Sequence, residues 1–167
     1  MRAARGRHVV MIDGDGTYPV EAIPRLLSEL ERCDMVIGAR DREAGTLRWL
    51  RSAAKNAIRA LASYLTQTQI PDLNSGLRAM KRELVLQFLP ILPNTHSWVS
   101  TITMAFLSNG YGVSWIPISY HKRIGRSSFH PIRDTYNYLS LVVRSIMYFN
   151  PLRIFLPLSV SMLVVGL

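Results

Sequence analysis

Short apolar runs alternate with amphipathic stretches along the chain, and this alternation predicts an α/β fold. Residues 9–12 and 35–37 are apolar and contain β-branched side chains, as buried strands do. Between these runs, residues 20–31 carry leucine and isoleucine at helical spacing. This order of strand, helix and strand predicts a unit of parallel sheet, with the first strand at the centre and covered on both faces.

The same criteria predict further elements along the rest of the chain. Helical apolar spacing marks four segments, and strand-like patterns mark two. We expect helices at 51–65, 81–89, 97–107 and 134–149, and strands at 112–120 and at the end of a turn-rich loop over 70–80. Loops of the latter kind, where a chain crosses the top of a sheet, tend to hold ligands, although an ordinary surface turn has the same composition.

The carboxyl-terminal segment is the most apolar part of the chain. No residue from Ile154 to Leu167 is charged. A membrane span needs about 20 such residues, so we interpret this shorter stretch as the beginning of a transmembrane helix cut off by truncation. A buried terminal helix is the alternative, but the stretch has no polar face. The preceding amphipathic helix has the tyrosines and arginine typical of a membrane interface.

Charge narrows the classes of partner. The chain has 20 Lys and Arg against 11 Asp and Glu, a net charge of +9, which predicts an anionic partner such as nucleic acid, an acidic membrane surface or a phosphorylated substrate. We find no nucleic-acid-binding motif and no basic helix with stacking aromatics. The single cysteine, Cys33, excludes an intrachain disulfide and a cysteine-rich zinc site.

Two carboxylates follow the first strand, one glycine apart. Asp13 and Asp15 point the same way if the segment is extended, and carboxylate oxygens suit Mg²⁺ or Mn²⁺ together with substrate phosphates. The pattern therefore predicts a site for a divalent cation and a diphosphate. A tight Asp-Gly turn that feeds a helix, with Thr17 as N-cap and Pro19 in the first turn, is the alternative, and both can hold together.

Basic residues cluster in two further places. Arg51, Lys55 and Arg59 recur every four residues along the predicted helix, and residues 44–71 contain no acid. Residues 121–129 concentrate cations, glycine and hydroxyls, and such a loop can fold over a diphosphate. A solvated surface is the ordinary explanation of both clusters, but the lack of acids around the helical stripe favours contact with an anion.

Five short segments follow one another in a specific order: Asp13–Pro19, Gly38–Arg40, Arg51–Ser52, Asp72–Arg78 and Arg123–Ser127. In this order they resemble polyprenyl-phosphate glycosyltransferases, relatives of dolichol-phosphate mannosyltransferase within family 2. The resemblance implies a partial Rossmann-like fold of the glycosyltransferase A type, without the amino-terminal region that holds the nucleotide base. It divides the chain into a partial catalytic domain (1–130), an amphipathic interfacial helix (131–152) and a truncated transmembrane segment (153–167).

The resemblance also implies a role for individual residues. Asp13 and Asp15 would hold Mg²⁺ or Mn²⁺ against the donor diphosphate, and Asp72 would join them as a catalytic residue on the sugar side. Relatives often have glutamine where this chain has Thr17. Donor contacts are implied for Arg78, Arg123, Arg126 and Ser127, and acceptor-phosphate contacts for Arg40, Arg51 and Ser52.

The implied activity is inverting transfer of a sugar from a nucleotide-sugar donor to undecaprenyl or dolichyl phosphate. We expect a membrane-associated protein whose catalytic part is cytoplasmic. A sheet without its first strands would expose an apolar edge, so the isolated chain could lose stability or activity. The alternative is a non-catalytic, membrane-associated remnant whose basic face binds anionic lipid.

Overall fold

The computed structural model of the chain describes residues 1–40, 59–64, 66–93, 98–121, 140, 147 and 151–166. Within these residues it contains a sheet of four strands, with α-helices between them and beyond them. In chain order the elements are β1 His8–Met11, α1 Ile23–Glu29, β2 Met35–Arg40, β3 Arg78–Lys81, α2 Arg82–Phe88, α3 Trp98–Ser108, β4 Val113–Ile118 and α4 Leu152–Gly166. Residues 59–64 are also helical, and 3₁₀ turns occupy Val20–Ala22 and Leu89–Ile91.

The sheet is mixed, with the strand order β1-β3-β2-β4. Strand β3 is antiparallel to both of its neighbours, so that Arg78 lies opposite Met11 on one side and Ile37 on the other. Strands β2 and β4 are parallel. The predicted α/β class is confirmed. Strands β1 and β2 run in the same direction, as expected of a unit of parallel sheet, but β3 is inserted between them.

The first strand was predicted to be central, but β1 is an edge strand of the described sheet, with β3 as its neighbour, so that prediction is wrong. His8 is exposed and Val9–Met11 are half-buried. The strand is nevertheless apolar because both of its faces meet the core: Met11 packs against one apolar cluster, and Val10 and Ile12 pack against the other. Its composition therefore reflects coverage of its faces and not a central position.

Two apolar clusters cover the two faces of the sheet, and alternate residues of β2 enter each of them. The cluster on the side of α2 and α3 comprises Met35, Ile37, Met80, Leu84, Val85, Phe88, Leu92, Ile102, Ala105 and Phe106. The cluster on the side of α1 comprises Tyr18, Leu26, Leu30, Val36, Leu77, Ala79, Ile116 and Ile118. The sheet is thus sandwiched between helical layers, which fixes the strand ends that carry the candidate site.

The other predicted elements have mixed outcomes. The helices predicted near residues 20–31, 81–89 and 97–107 and the strand near 112–120 are confirmed with shifts of a few residues at their ends. The helix predicted at 134–149 lies almost entirely outside the described residues. Most large apolar side chains of α4 are exposed. Within the described residues, no helix combines the length and the apolarity needed to cross a membrane.

Candidate functional site

Polar residues at one end of each of the four strands meet at the same edge of the sheet, where β1, β2 and β4 end and β3 begins. The loop over residues 12–18 follows β1, Arg40 ends β2, and residues 119–121 follow β4. Because β3 runs in the opposite direction, the segment that precedes it, residues 72–77, reaches the same edge. The main-chain N–H of His121 donates to the carbonyl of Thr17 at 2.9 Å, which ties the first and last of these loops together. Carboxyl ends of parallel strands are the usual place for ligands in α/β sheets.

Asp13 lies directly against the main chain of Gly76. A β-carbon added at position 76 would come within 2.6 Å of all three atoms of the Asp13 carboxylate group. Only glycine leaves room for the carboxylate in this position. Asp13 itself is exposed, so its carboxylate is supported from beneath by Gly76 and open to solvent.

Asp15 is half-buried and is held by the residue two positions later. Both the main-chain N–H and the hydroxyl of Thr17 donate to Oδ1 of Asp15. Thr17 has no exposed surface. The alternative role of Thr17 as an N-cap is wrong, because the next helical turn begins at Val20 without a side-chain cap. Thr17 instead orients Asp15, as in an Asx-type turn.

Tyr18 joins the first loop to the segment before β3. Its hydroxyl accepts a hydrogen bond of 2.7 Å from the main-chain N–H of Gly76, in the protein interior. Its ring meets that of Tyr120 edge-on, with centroids 5.2 Å apart. Burial raises the pKa of the Tyr18 phenol, although the bond from Gly76 and the charge of Arg40 oppose the increase. The phenol is therefore neutral at physiological pH.

Arg40 and Asp72 form a two-point ion pair at the same edge. Nε of Arg40 donates to Oδ2 of Asp72 at 2.7 Å, and Nη2 donates to Oδ1 at 3.0 Å. The Arg40 guanidinium also lies over the ring of Tyr120, 5.4 Å from its centroid, a cation–π contact. The side chains of Arg40 and Asp72 are only 16% and 11% exposed, so the pair is well shielded from solvent.

The protonation of Asp72 reflects two opposing effects. Burial by itself would raise the pKa of this carboxyl group. The hydrogen bonds and positive charge of Arg40, together with the main-chain N–H of Asn74, outweigh burial and lower the pKa below its ordinary value of 3.8. Asp72 is therefore negatively charged at neutral pH, and its charge is balanced by Arg40.

We expect Asp72→Asn to lower the free energy of unfolding by about 3 kcal/mol at pH 7, because the change breaks a largely buried ion pair. Since folding lowers the pKa of Asp72, its stabilising contribution is present above the ordinary value of 3.8 and is lost as pH falls through the folded pKa. Urea denaturation of both proteins should give a constant difference between about pH 7 and pH 5, which shrinks below about pH 4. A difference that persists undiminished at about pH 2 would contradict this account.

Arg78 lies beneath the site and is fully buried. Its Nη1 donates to the carbonyl of Val99 at 2.8 Å and to the hydroxyl of Thr103 at 3.0 Å. Its Nη2 donates to the carbonyl of Ser75 at 2.6 Å. These contacts fix the main chain just before Gly76. The donor contact implied for Arg78 stays a prediction, and the contacts observed give this residue a structural role.

Several of the predicted site residues lie outside the described part of the chain. They are Arg51, Ser52, Arg123, Arg126 and Ser127, together with Lys55 of the basic stripe. Arg59, the last residue of that stripe, is exposed and donates to the carbonyl of Pro71 at 3.1 Å. The predicted residues that the structure brings to one edge are therefore Asp13, Asp15, Arg40 and Asp72.

The two aspartates suit a hard divalent cation. Carboxylate oxygens are the preferred ligands of Mg²⁺ and Mn²⁺, which usually keep several waters and bind substrate phosphates as well. The lack of a side chain at Gly76 makes room for the Asp13 carboxylate, and Asp13 is exposed to solvent. No group of three or more His, Cys, Asp and Glu side chains that could hold a metal occurs among the described residues. The pair therefore fits a cation whose remaining ligands would be waters and a bound phosphate, rather than a cation enclosed by protein side chains.

Sequence reasoning missed the part that three residues have in shaping this site: Gly76, Tyr18 and Thr17. All three lie in segments that carried the family resemblance, Gly76 in Asp72–Arg78 and the other two in Asp13–Pro19, and this resemblance was the available signal. The contact of Tyr18 with Gly76 joins residues 58 positions apart, and hydrophobic spacing gives no information on such pairs.

Solved structures share this fold. Glucosyl-3-phosphoglycerate synthase from Mycobacterium tuberculosis, in complex with Mn²⁺, UDP and phosphoglyceric acid, superposes with a TM-score of 0.62 at 18% sequence identity. The match covers 87% of this chain and 49% of that protein. The same synthase in complex with UDP alone gives a TM-score of 0.60. The glycosyltransferase A-type architecture expected from the resemblance is supported by this similarity.

Curated relatives and a family model agree on the family. Dolichyl-phosphate hexose transferase of Haloferax volcanii is 33% identical over 125 residues, which are 74% of this chain and 54% of that protein. Polyprenol monophosphomannose synthase of Mycolicibacterium smegmatis is 26% identical over 121 residues, 69% of this chain and 46% of that protein. The chain thus spans about half the length of these relatives. The model for glycosyl transferase family 2 matches residues 1–89, and the chain belongs to that family.

Proposed function

We propose that this chain carries part of the active site of a transferase that moves a sugar from a nucleotide-sugar donor to a polyprenyl phosphate, such as undecaprenyl or dolichyl phosphate. The proposal depends on one observation: the carboxylates of Asp13 and Asp15, in the loop after β1, and the guanidinium of Arg40, at the end of β2, lie at the same edge of the sheet. The relatives named for dolichyl phosphate and polyprenol phosphomannose support the choice of acceptor.

The proposed reaction needs little acid or base chemistry. An oxygen of the lipid phosphate attacks the anomeric carbon, the bond from that carbon to the donor diphosphate breaks, and the nucleoside diphosphate leaves with the electron pair. One such displacement inverts the anomeric centre. A phosphate monoester is already ionised near neutral pH, since its second pKa is about 6. The active site therefore has to hold two anions together and to stabilise the leaving group.

The aspartates and arginine divide this task in the proposal. Asp13 and Asp15 would hold Mg²⁺ or Mn²⁺, which when bound supplies positive charge for the leaving diphosphate. The guanidinium of Arg40, which is oriented by its contacts with Asp72 and Tyr120, would attract the acceptor phosphate. In the same proposal Arg51 and Ser52 contact the acceptor, Arg78, Arg123, Arg126 and Ser127 contact the donor, and Asp72 lies on the sugar side.

Association with a membrane is part of the same proposal. Helix α4 exposes apolar side chains along its length, among them Phe155, Leu156 and Leu163, which are 46%, 63% and 65% exposed. An apolar surface of this extent is usually covered by a partner or a lipid phase. We propose that α4 inserts into the membrane that holds the polyprenyl phosphate, with the catalytic part on the cytoplasmic side.

Cation-dependent binding tests the proposal. The purified chain is expected to bind UDP-glucose or GDP-mannose in calorimetry when Mn²⁺ or Mg²⁺ is present, and to lose at least about 90% of this binding in EDTA, because the two aspartates alone repel a diphosphate. Transfer of radiolabelled sugar to undecaprenyl or dolichyl phosphate is the activity readout. Absence of cation-dependent binding to both donors would favour the non-catalytic remnant.

A further inference from the structure

Tyr18 is a buried polar residue that the proposed chemistry does not use. Only 5% of its surface is exposed, yet it keeps a hydroxyl where phenylalanine would fill the same space. That hydroxyl accepts the N–H of Gly76 at 2.7 Å. Within the described residues, Gly76 is also where the main chain lies against the carboxylate of Asp13. One hydrogen bond thus links Tyr18 to the main chain that lies against this carboxylate.

The surroundings of Tyr18 leave its hydroxyl little freedom. Gly16 has a φ of 71°, a left-handed conformation that favours glycine at this point of the loop. The ring of Tyr18 packs edge-on against Tyr120, and the carbonyl of the preceding residue, Thr17, accepts a hydrogen bond from His121. The first loop is therefore anchored to residues 120–121 both at the ring of Tyr18 and at the preceding residue, and the hydroxyl serves as a fixed acceptor for Gly76.

We propose that Tyr18 is a positioning residue, whose hydroxyl clamps the main chain at Gly76 and thereby fixes the carboxylate of Asp13 in the orientation that binds a cation with a nucleoside diphosphate. Of the two tests of this inference, only the measurement of Mn²⁺ affinity rests on the proposed function. Arg78 holds the carbonyl of Ser75 from the other side of the sheet edge, so the turn at Ser75–Gly76 is fixed through both its carbonyl and its N–H.

Tyr18→Phe tests the clamp because it removes the hydroxyl and keeps the ring. We expect the affinity for Mn²⁺, measured by electron paramagnetic resonance in the presence of UDP or GDP, to fall about tenfold, as it does when outer-shell partners of metal ligands are lost. Tyr111→Phe is the matched control. It removes a hydroxyl bonded to Gln87 at 3.2 Å, next to the amino end of β4, and should leave Mn²⁺ affinity unchanged. An unchanged affinity in Tyr18→Phe would overturn the proposal.

A second measurement needs no cation and separates this inference from the proposed function. If the hydroxyl of Tyr18 clamps Gly76 against Asp13, the drop in Tm caused by Gly76→Ala should be at least halved in the Tyr18→Phe background, because the released main chain can move away. Strictly additive drops in Tm would overturn the clamp. If the unaltered chain fails to bind Mn²⁺ both in the presence of UDP and in the presence of GDP, the proposed function fails. In that case this double-mutant cycle alone decides whether Tyr18 clamps Gly76.

Discussion

Gly76→Ala is expected to reduce cation-dependent binding of a nucleotide sugar by about 100-fold or more. The added β-carbon would overlap the carboxylate of Asp13, so either that carboxylate or the main chain at Ser75–Gly76 must shift. Misplacement of a functional group by about 1 Å can cost about 100-fold. Overpacking of this kind also costs about 1–3 kcal/mol of stability. Calorimetry with Mn²⁺ and the donor, together with thermal unfolding, measures both effects.

Gly112→Ala is the matched control for this prediction. A β-carbon at position 112 would lie 3.4 Å from Cβ of Cys33, an ordinary contact, and Gly112 precedes β4 at the opposite edge of the sheet. A second variant isolates the cause: Asp13→Gly in the Gly76→Ala background removes the overlap and should restore Tm without restoring binding. Full binding by Gly76→Ala would show that the position of the Asp13 carboxylate does not matter.

The sequence predicts which segments form covered strands of this sheet, but it does not predict the order of those strands. Strand β2 was expected to be buried, and Met35–Ile37 have no exposed surface. The apolar run at 9–12 resembles the run at 35–37, yet β1 is an edge strand of the described sheet. An apolar run reports that both faces of a strand meet side chains. It carries no information on how many neighbours the strand has, so the insertion of β3 could not be predicted.

The roles of the charged residues at the site were likewise only partly predictable from the sequence. Arg40 and Arg78 both belong to segments that carried the family resemblance, and both were assigned to ligands. The structure pairs Arg40 with Asp72 at the site edge, whereas Arg78 is buried and donates to the carbonyls of Ser75 and Val99. Which arginine faces a ligand depends on the direction of its side chain at a strand end. Residue type and spacing do not determine that direction.

These contacts change how the aspartate pair should be viewed. Asp13 and Asp15 were predicted from their place after a strand, their spacing and the family resemblance, and the structure adds a separate contact for each: Gly76 against Asp13, and the hydroxyl of Thr17 on Asp15. A short acidic motif is common by chance. Thr17 and Gly76 are buried and contact the two carboxylates, which supports the proposed cation site over an ordinary turn.

Asp15→Asn is expected to abolish cation-dependent sugar transfer, with a loss of at least about 100-fold, because the amide removes the negative charge that would hold the cation at the leaving diphosphate. The amide oxygen can still accept the hydrogen bonds from the N–H and hydroxyl of Thr17, so Tm should change by less than about 3 °C. Radiolabelled transfer to polyprenyl phosphate, Mn²⁺ binding and thermal unfolding should be measured on the same preparation.

Glu31→Gln provides the control for the loss of one carboxylate. Glu31 is exposed and precedes β2, at the edge of the sheet opposite the site, so this variant should keep both transfer and Mn²⁺ binding. Thr17→Val extends the comparison because it leaves the charge of Asp15 in place and removes the hydroxyl that orients it. We expect an intermediate loss, of about tenfold in Mn²⁺ affinity. If Asp15→Asn retains normal turnover, the carboxylate pair is only a turn, and the proposed cation site must be abandoned.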